Sequence, residues 1–383
     1  MGGKPNVTPF IKSGPSGGRR PSLREARFED YEQIFSLESR YGLDPKHYEE
    51  WSHLWRENPL YRELQPGWPI GWVIETENKQ IVGSMGNIPL PYEFEGKRIV
   101  AASGRALVAE PAYRSAALLL LDRLINQPGV DLYLNNTMSQ EAASSFSMFE
   151  CPRVPVGIWN ESAFWITHYR GFAQSVLIKK HYPLIRPLIY ALATVARLKD
   201  ALSANRLHPG DVEVKACAGF DERFDSFWSR LKRNHPHVLL AVRTRDVLDW
   251  HFRYALRQNR LWIATIADGP DLLAYAVFRR SDIRTFGLKR VQLVDFQSLD
   301  GGTALLQPML RWGLRKCREE GVHMLENIGR WLEHGEVMRT VAPHQRKLST
   351  WTFFYRANNP RLAQSLRDPH VWAPSLFDGD ASL

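Results

Sequence analysis

Hydrophobic and polar positions change period many times along this chain, and each change marks an element. A short strand is predicted over Leu23–Arg27, followed by a helix in which Tyr31, Ile34, Phe35 and Leu37 keep helical spacing. Glu29 and Asp30 stand where carboxylates favour a first helical turn. A second helix is predicted from Asp44 as N-cap and Pro45 at the first position to a stop at Asn58-Pro59. Three strand-like runs follow: "GWVIET", "QIVGSMGNIPLPYEFEGK" and "RIVAASGRALVA". The last enters a proline turn and a helix that begins on four leucines, Leu118–Leu121. "VDLYLNNT" then reads as a buried strand, "SQEAASSFSMFEC" as a short helix, and "VGIWNESAFWITH" and "FAQSVLIKKH" as two strands.

The second half repeats this order. "VEVKACAGF" is a strand, "DERFDSFWSRLKRN" and "TRDVLDWHFRYALRQ" are helices, and "LWIATIAD", "LLAYAVFRR" and "KRVQLVDFQ" are strands. Helix "PMLRWGLRKCREEG", strand "VHMLENIG", helix "RWLEHGEVMRTVA" and strand "TWTFFYRA" complete it. Two helices, three strands, helix, strand, helix and strand thus occur twice, at a period of about 185 residues, with little identity between halves. Residues 1–22, rich in Gly, Pro and Ser with four basic and no acidic residues, read as a disordered basic arm. The divisions are 23–180 for the first domain, 181–210 for a helical connector broken by Pro187, and 211–383 for the second domain with its tail. The connector's apolar face, flanked by Arg186, Arg197 and Lys199, suits docking between the domains, with peripheral membrane contact as the alternative.

Composition narrows the class. At 383 residues and 44% hydrophobic, the chain has material for two cores. A net charge of +9 favours an anionic partner, but no basic run is long enough for a dedicated nucleic-acid tail. Cys151, Cys217 and Cys317 are scattered and odd in number, so a reducing cytoplasm is expected and no disulfide framework. No signal peptide is expected, and no run reaches the ~20 apolar residues of a bilayer span.

The strand–turn–helix "GRALVAEPAYRSAALLLLDRLI", with "IVGSMGNIP" before it, resembles the cofactor motif of the GCN5-related N-acetyltransferase (GNAT) superfamily. Val108, Pro111, Tyr113 and Arg114 stand at that motif's positions. Ala117 and Leu119 stand where glycine and Gly/Ala are expected. "VDLYLNNTMSQEAASSFSMFECPRVP" resembles the next motif, a strand that splays from its neighbour and a helix. Cys151-Pro152-Arg153-Val154 replaces the usual corner, and the tyrosine often found as general acid is absent near Met148–Phe149. The match covers roughly 23–180; the second half matches in outline, with "LKRVQLVDFQSLDGG" in place of a cofactor motif.

The resemblance implies a mixed α/β (α+β type) protein of two tandem acetyltransferase-fold domains, each a mostly antiparallel sheet flanked by helices. It implies transfer of an acyl group from acyl-CoA, acetyl-CoA by default, to a small-molecule or carrier-linked amine, without a metal. The donor would use Leu107 and Val108 on the strand edge and Arg114, Ser115, Ala116, Ala117, Leu118 and Leu119 at the helix N-terminus, an anion site by its dipole and free N–H groups. The branched Leu119 would crowd the phosphates or turn into the core. The same residues also read as a plain strand feeding a core helix.

Candidate chemistry beyond that is sparse. Asn136 ends the splayed strand with Asn135, and Asp295 lies inside the apolar strand "VQLVDFQ", where a carboxylate faces a cleft or must be paired. Glu326 occupies the matching place in "HMLENIG". These three are the catalytic or acceptor-binding candidates; His323 and His334 read as structural. No metal-ligand spacing, nucleophile elbow or Walker loop occurs. Two other readings stay open: a Fem-like transferase using aminoacyl-tRNA, and a degenerate tandem fold kept for binding. The acceptor, the acyl length, the catalytic half and the oligomeric state are not legible.

Overall fold

The computed structural model describes residues 21–138, 145–202, 207, 212–330, 337–338, 340–348 and 351–383. Among these, two seven-stranded sheets form. The first runs β1 (Ser22–Glu25), β2 (Gly71–Glu75), β3 (Ile81–Phe94), β4 (Lys97–Ala109), β5 (Leu132–Met138) and β14 (Thr352–Ala357), with β8 (Leu240–Ala241) on β3. The second runs β13 (His344–Lys347), β6 (Ile158–Ile166), β12 (Met324–Arg330), β11 (Arg290–Ser298), β10 (Asp271–Arg280), β9 (Leu261–Asp268) and β7 (Lys215–Cys217). The two mixed, mostly antiparallel sheets flanked by helices agree with the expected fold class.

Two strands are exchanged. β6, from the first half, pairs with β12 in the second sheet, and β14, from the second half, pairs with β5 in the first. The sheets therefore do not divide where the sequence halves do: the 23–180 segment contributes β6 to the second sheet, and the 211–383 segment contributes β14 and the short β8 to the first.

Local chemistry explains most helix limits. α1 (Tyr31–Arg40) lies where its apolar spacing predicts. α2 (Tyr48–Arg56) begins three residues after Pro45, with His47 rather than Asp44 at its cap. Asn58-Pro59 does not only stop it. The Asn58 side chain accepts from Leu60 N and Tyr61 N and starts a new short helix, α3 (Pro59–Leu64). α4 (Ala117–Ile125) follows a 3₁₀ turn over Pro111–Ala116.

"FAQSVLIKKH" is not a strand but part of α5 (Tyr169–Lys179), capped by His168 Nδ1, which accepts from Gly171 N at 3.0 Å. Pro187 does not break the connector helix; it sits at the second residue of α6 (Arg186–Leu202), where its missing N–H costs nothing. Nor does α6 dock between the sheets, since only Ile189 on it is buried. α7 (Glu222–Asn234), α8 (Arg245–Arg257), α9 (Leu306–Glu319) and α10 (Pro360–Ser365) complete the set. The first-half helix expected over 139–151 falls partly outside the described residues, as do the arm over 1–20 and His334.

The main core spans the first sheet, α7, α8 and the C-terminal segment, and a second core lies between α9 and the second sheet. Cys151 and Cys317 belong to these cores, and burial raises their thiols to about 11 and about 12. At pH 8 the Cys151 thiolate is then about one part in a thousand. Ellman's reagent is expected to find one accessible thiol, the half-exposed Cys217, in the folded protein and all three in guanidinium.

Candidate functional site

Each sheet contains one parallel pair, and each pair opens into a fork. Ala101, Ala102 and Ser103 of β4 face Leu132, Tyr133 and Leu134 of β5, and the ladder ends there. β4 carries a bulge opposite Ser84–Gly86, with Ala106 at φ 53. Beyond Ser103 no described residue continues the ladder along the β4 edge toward β5, although Asn135 Nδ2 reaches Gly104 O at 3.5 Å, and a strand edge so opened invites an extended ligand. Gly104 stands at the fork because a Cβ there would lie 2.7 Å from Leu124 Cδ2 and 2.9 Å from Met85 Cε. Side-chain removal thus lets α4 pack directly against the strand.

β4 ends at the turn into α4. No side chain caps that helix, and Arg114 and Ser115 are exposed beside it. Leu119 is 51% exposed. It therefore does not turn into the core, and its side chain stays at the start of α4, where phosphates placed there would meet it. At the fork itself Ser103 Oγ and Asn136 Oδ1 are buried without a hydrogen-bond partner among the described residues.

The C-terminal segment, residues 372–383, straps the two forks together. Ser375 Oγ donates to Asp295 Oδ1 at 2.9 Å, and Ser375 N donates to Asp378 Oδ2 at 2.7 Å. Tyr92 OH donates to Asp378 Oδ1 at 2.8 Å, Asn136 Nδ2 donates to Asp378 O, and Thr137 Oγ1 donates to Asp380 Oδ1 at 3.2 Å. Farther on, Ser382 meets His251 Nε2 at 2.7 Å and its carbonyl accepts from Arg279. Burial pushes the Asp378 and Asp380 carboxyls up; Arg243 chiefly opposes this at Asp378 and Arg105 at Asp380. Around the strap's end, burial and then Arg105 bring Lys46 down to about 8, with Glu50 opposing.

The second fork repeats the first. Arg290, Val291 and Gln292 of β11 face Met324, Leu325 and Glu326 of β12, and the ladder ends. A bulge between Val277 and Phe278 on β10 accompanies it. A cavity of about 930 Å³ opens over this fork, walled by β11 from Leu293 to Ser298, by Asn327, by Leu231 of α7 and His235 just past its end, and by strap residues 372–376. Its mouth includes Gly301, Gly302 and Thr303, a turn with the glycines that the first lacks. Gly301 has φ 68, and a Cβ there would lie 2.6 Å from His235.

The structure separates the predicted residues by role. Asp295 is buried and saturated: Arg243 donates to both oxygens at 2.8 and 3.1 Å, Tyr275 OH at 3.1 Å, Gln297 at 3.1 Å, and Ser375. Burial alone would raise its pKa, but the Arg243 charge and these donors hold it below the usual carboxylate range. Glu326 is fully buried and accepts from Arg290 at 2.9 Å, Ser162 at 2.7 Å and Arg346. Both carboxylates are thus engaged by several donors each, and Asp295 also lies in the cavity wall. Asn136 does reach the first fork, but its amide is covered by Gly379 and ties down the strap. Leu107, Val108 and Arg114–Leu119 lie on one continuous path along the free edge of β4 to α4. Sequence reasoning missed Arg243, Tyr92, Asp378 and Asp380. The only signal was the cluster of acids in "SLFDGDAS" beside buried-looking apolar residues.

No family model and no curated protein matches the chain in sequence. In structure it is similar to a GCN5-related N-acetyltransferase from Anabaena variabilis, at TM-score 0.53 and 12% identity over 89% of this chain and 73% of that one. The chain shares the fold of that protein. It is also similar to the N-myristoyltransferase of Saccharomyces cerevisiae, solved with bound myristoyl-CoA and inhibitors, at TM-score 0.55 and 11% identity over 92% and 85% of the two chains. A conserved protein of Enterococcus faecalis described as a probable N-acyltransferase matches at TM-score 0.51 and 13% identity, over 88% and 73%. At these identities the GNAT likeness concerns the fold. Among the described residues no group of three or more His, Cys, Asp or Glu is placed to hold a metal ion.

Proposed function

We propose that this chain is an acyl-CoA-dependent N-acyltransferase with its donor in the first fork and its acceptor amine approaching from the strap side. The observation that carries this reading is the three-residue β4/β5 ladder that opens, past a bulge, toward the 3₁₀ turn that leads into α4, where Arg114 and Ser115 are exposed and Ala117 N donates to Arg114 O. Leu107 and Val108 would present backbone groups to an extended pantetheine arm, and residues Ser115–Leu119 with Arg114 would take its pyrophosphate. The acyl-CoA supplies an activated thioester.

Transfer to an amine then needs orientation and removal of one proton. Asp380 is the candidate proton acceptor. It is half-buried at the fork, holds one hydrogen bond from Thr137, and has a carboxyl raised by burial. Asn136 and Tyr92 position it by fixing Asp378. Asp295 and Glu326 act through structure, Asp295 by holding the strap at Ser375.

The 930 Å³ cavity and its Gly301-Gly302 turn favour a second reading, with the donor in the second fork. Ala117→Glu separates the two. It places a carboxylate where the first reading puts phosphate, at a helix start that tolerates acids. Acyl-CoA binding is expected to fall about 100-fold in Ala117→Glu and about tenfold in Arg114→Ala, with melting unchanged in the absence of ligand. Loss in Gly301→Val with no effect of Ala117→Glu would assign the donor to the second fork. Activity is read by thiol release from acetyl-CoA and longer acyl-CoAs against a panel of amines.

A further inference from the structure

α5 and α6 form an antiparallel helical hairpin with a small interior. Ala173, Leu177 and Ile189 are buried in it, and Leu192 and Ala193 pack against them. Ile189 is the one buried residue on the seventeen of α6. The remaining apolar surface faces outward: Val195 is 63% exposed, Leu198 56% and Leu202 86%, and Leu184 and Ile185 at the tip are 53% each. Leu188, Ala191, Val195, Leu198 and Leu202 follow alternating steps of three and four, so they lie in a single stripe along the helix, with Leu184 just before its start. Tyr182 and Tyr190, 61% and 51% exposed, stand beside it, where amphipathic rings suit a water–lipid boundary.

Charge on the hairpin is one-sided. From Tyr169 to Leu202 there are six Lys and Arg and one acid, Asp200. That acid is already engaged, by Tyr169 OH at 2.9 Å and by His344. Lys199 stands at the edge of the stripe beside Leu198, and Lys179 and Lys180 are exposed at the tip with Leu184 and Ile185, whereas Arg186 and Arg197 are exposed on the other side of α6.

We propose that this hairpin docks the protein on an anionic bilayer, with the α6 stripe lying in the interface and the basic residues on lipid headgroups. No described helix is long and apolar enough to cross a membrane, and α6 matches a helix that lies in the surface plane: apolar on one exposed face, with Lys199 at the edge of that face and Lys179 and Lys180 at the tip. Lipid phosphate matches the cationic flanks. Self-association through the same stripe would instead bring two sets of like charges together across a two-fold axis. The inference rests on this surface alone and holds whichever fork binds a donor.

The test is co-sedimentation of the full chain with vesicles of phosphatidylglycerol and phosphatidylcholine, against vesicles of phosphatidylcholine alone. Binding to the anionic vesicles is expected, weakening at about 0.5 M salt because the headgroup attraction is screened. Val195→Asp/Leu198→Asp and Lys180→Glu/Lys199→Glu are each expected to lower vesicle affinity about tenfold or more. All four residues are exposed, so melting temperatures stay at the wild-type value and report intact folding. Absence of binding to anionic vesicles would overturn the proposal. So would binding that neither double variant weakens. A wild-type dimer that Val195→Asp/Leu198→Asp dissociates, with no vesicle binding, would assign the stripe to a second copy and overturn it as well.

Discussion

Arg243→Leu is expected to lower unfolding stability by about 3–5 kcal/mol, because it leaves the Asp295 carboxylate buried without its counter-charge. Arg243 is 1% exposed, donates to both Asp295 oxygens, and gives Nη1 to Ala241 O at 2.8 Å. Its guanidinium also lies 4.8 Å from the ring centre of Phe377 in the strap. The loss therefore spreads beyond one pair, since Ser375 of the strap bonds the same carboxylate. Urea melts measure it directly. The double variant Arg243→Leu/Asp295→Leu should recover much of the loss, because paired apolar replacement of a buried ion pair is often close to neutral. A single variant as stable as wild type would show that the pair holds nothing together.

The second large effect is on the reaction. Asp380→Asn is expected to lower kcat by about 10²–10⁴, the range for loss of a positioned proton acceptor. Acyl-CoA affinity should stay unchanged, since no donor contact is assigned to Asp380. The acid limb of the kcat profile should lie above the ordinary aspartate range in the wild type, as burial raises this carboxyl, and should vanish in the variant. Loss of kcat with that limb retained would point to a positioning role through Thr137.

Much of the fold was legible because each strand run is bounded by a turn and each half carries the same order. Strand exchange was not. β6 pairs with residues 158–172 positions away and β14 with residues 214–225 positions away, and pairing at such separations leaves no local pattern. "AQSVLIKK" alternates like a strand yet closes a helical turn equally well, and His168 capping decided for α5. Asp295 and Glu326 were visible as charges inside apolar strands, which must be paired when buried. Their partners were hidden, since Arg243, Arg290 and Arg346 stand 52, 36 and 20 residues away. The strap was least visible of all. Its dozen residues have no periodicity, and it gains meaning only against Tyr92, Asn136 and Thr137.

The central claim is a donor site on the first fork, and a thermal-shift titration with acyl-CoAs of increasing chain length tests it most directly, on wild type and Ala117→Glu side by side. A ligand at 100 times its dissociation constant adds about 2.7 kcal/mol to the folded state. The account predicts that stabilisation in the wild type, with a preferred chain length, and its loss in Ala117→Glu. No stabilisation at millimolar acyl-CoA, or equal stabilisation of both proteins, would contradict it.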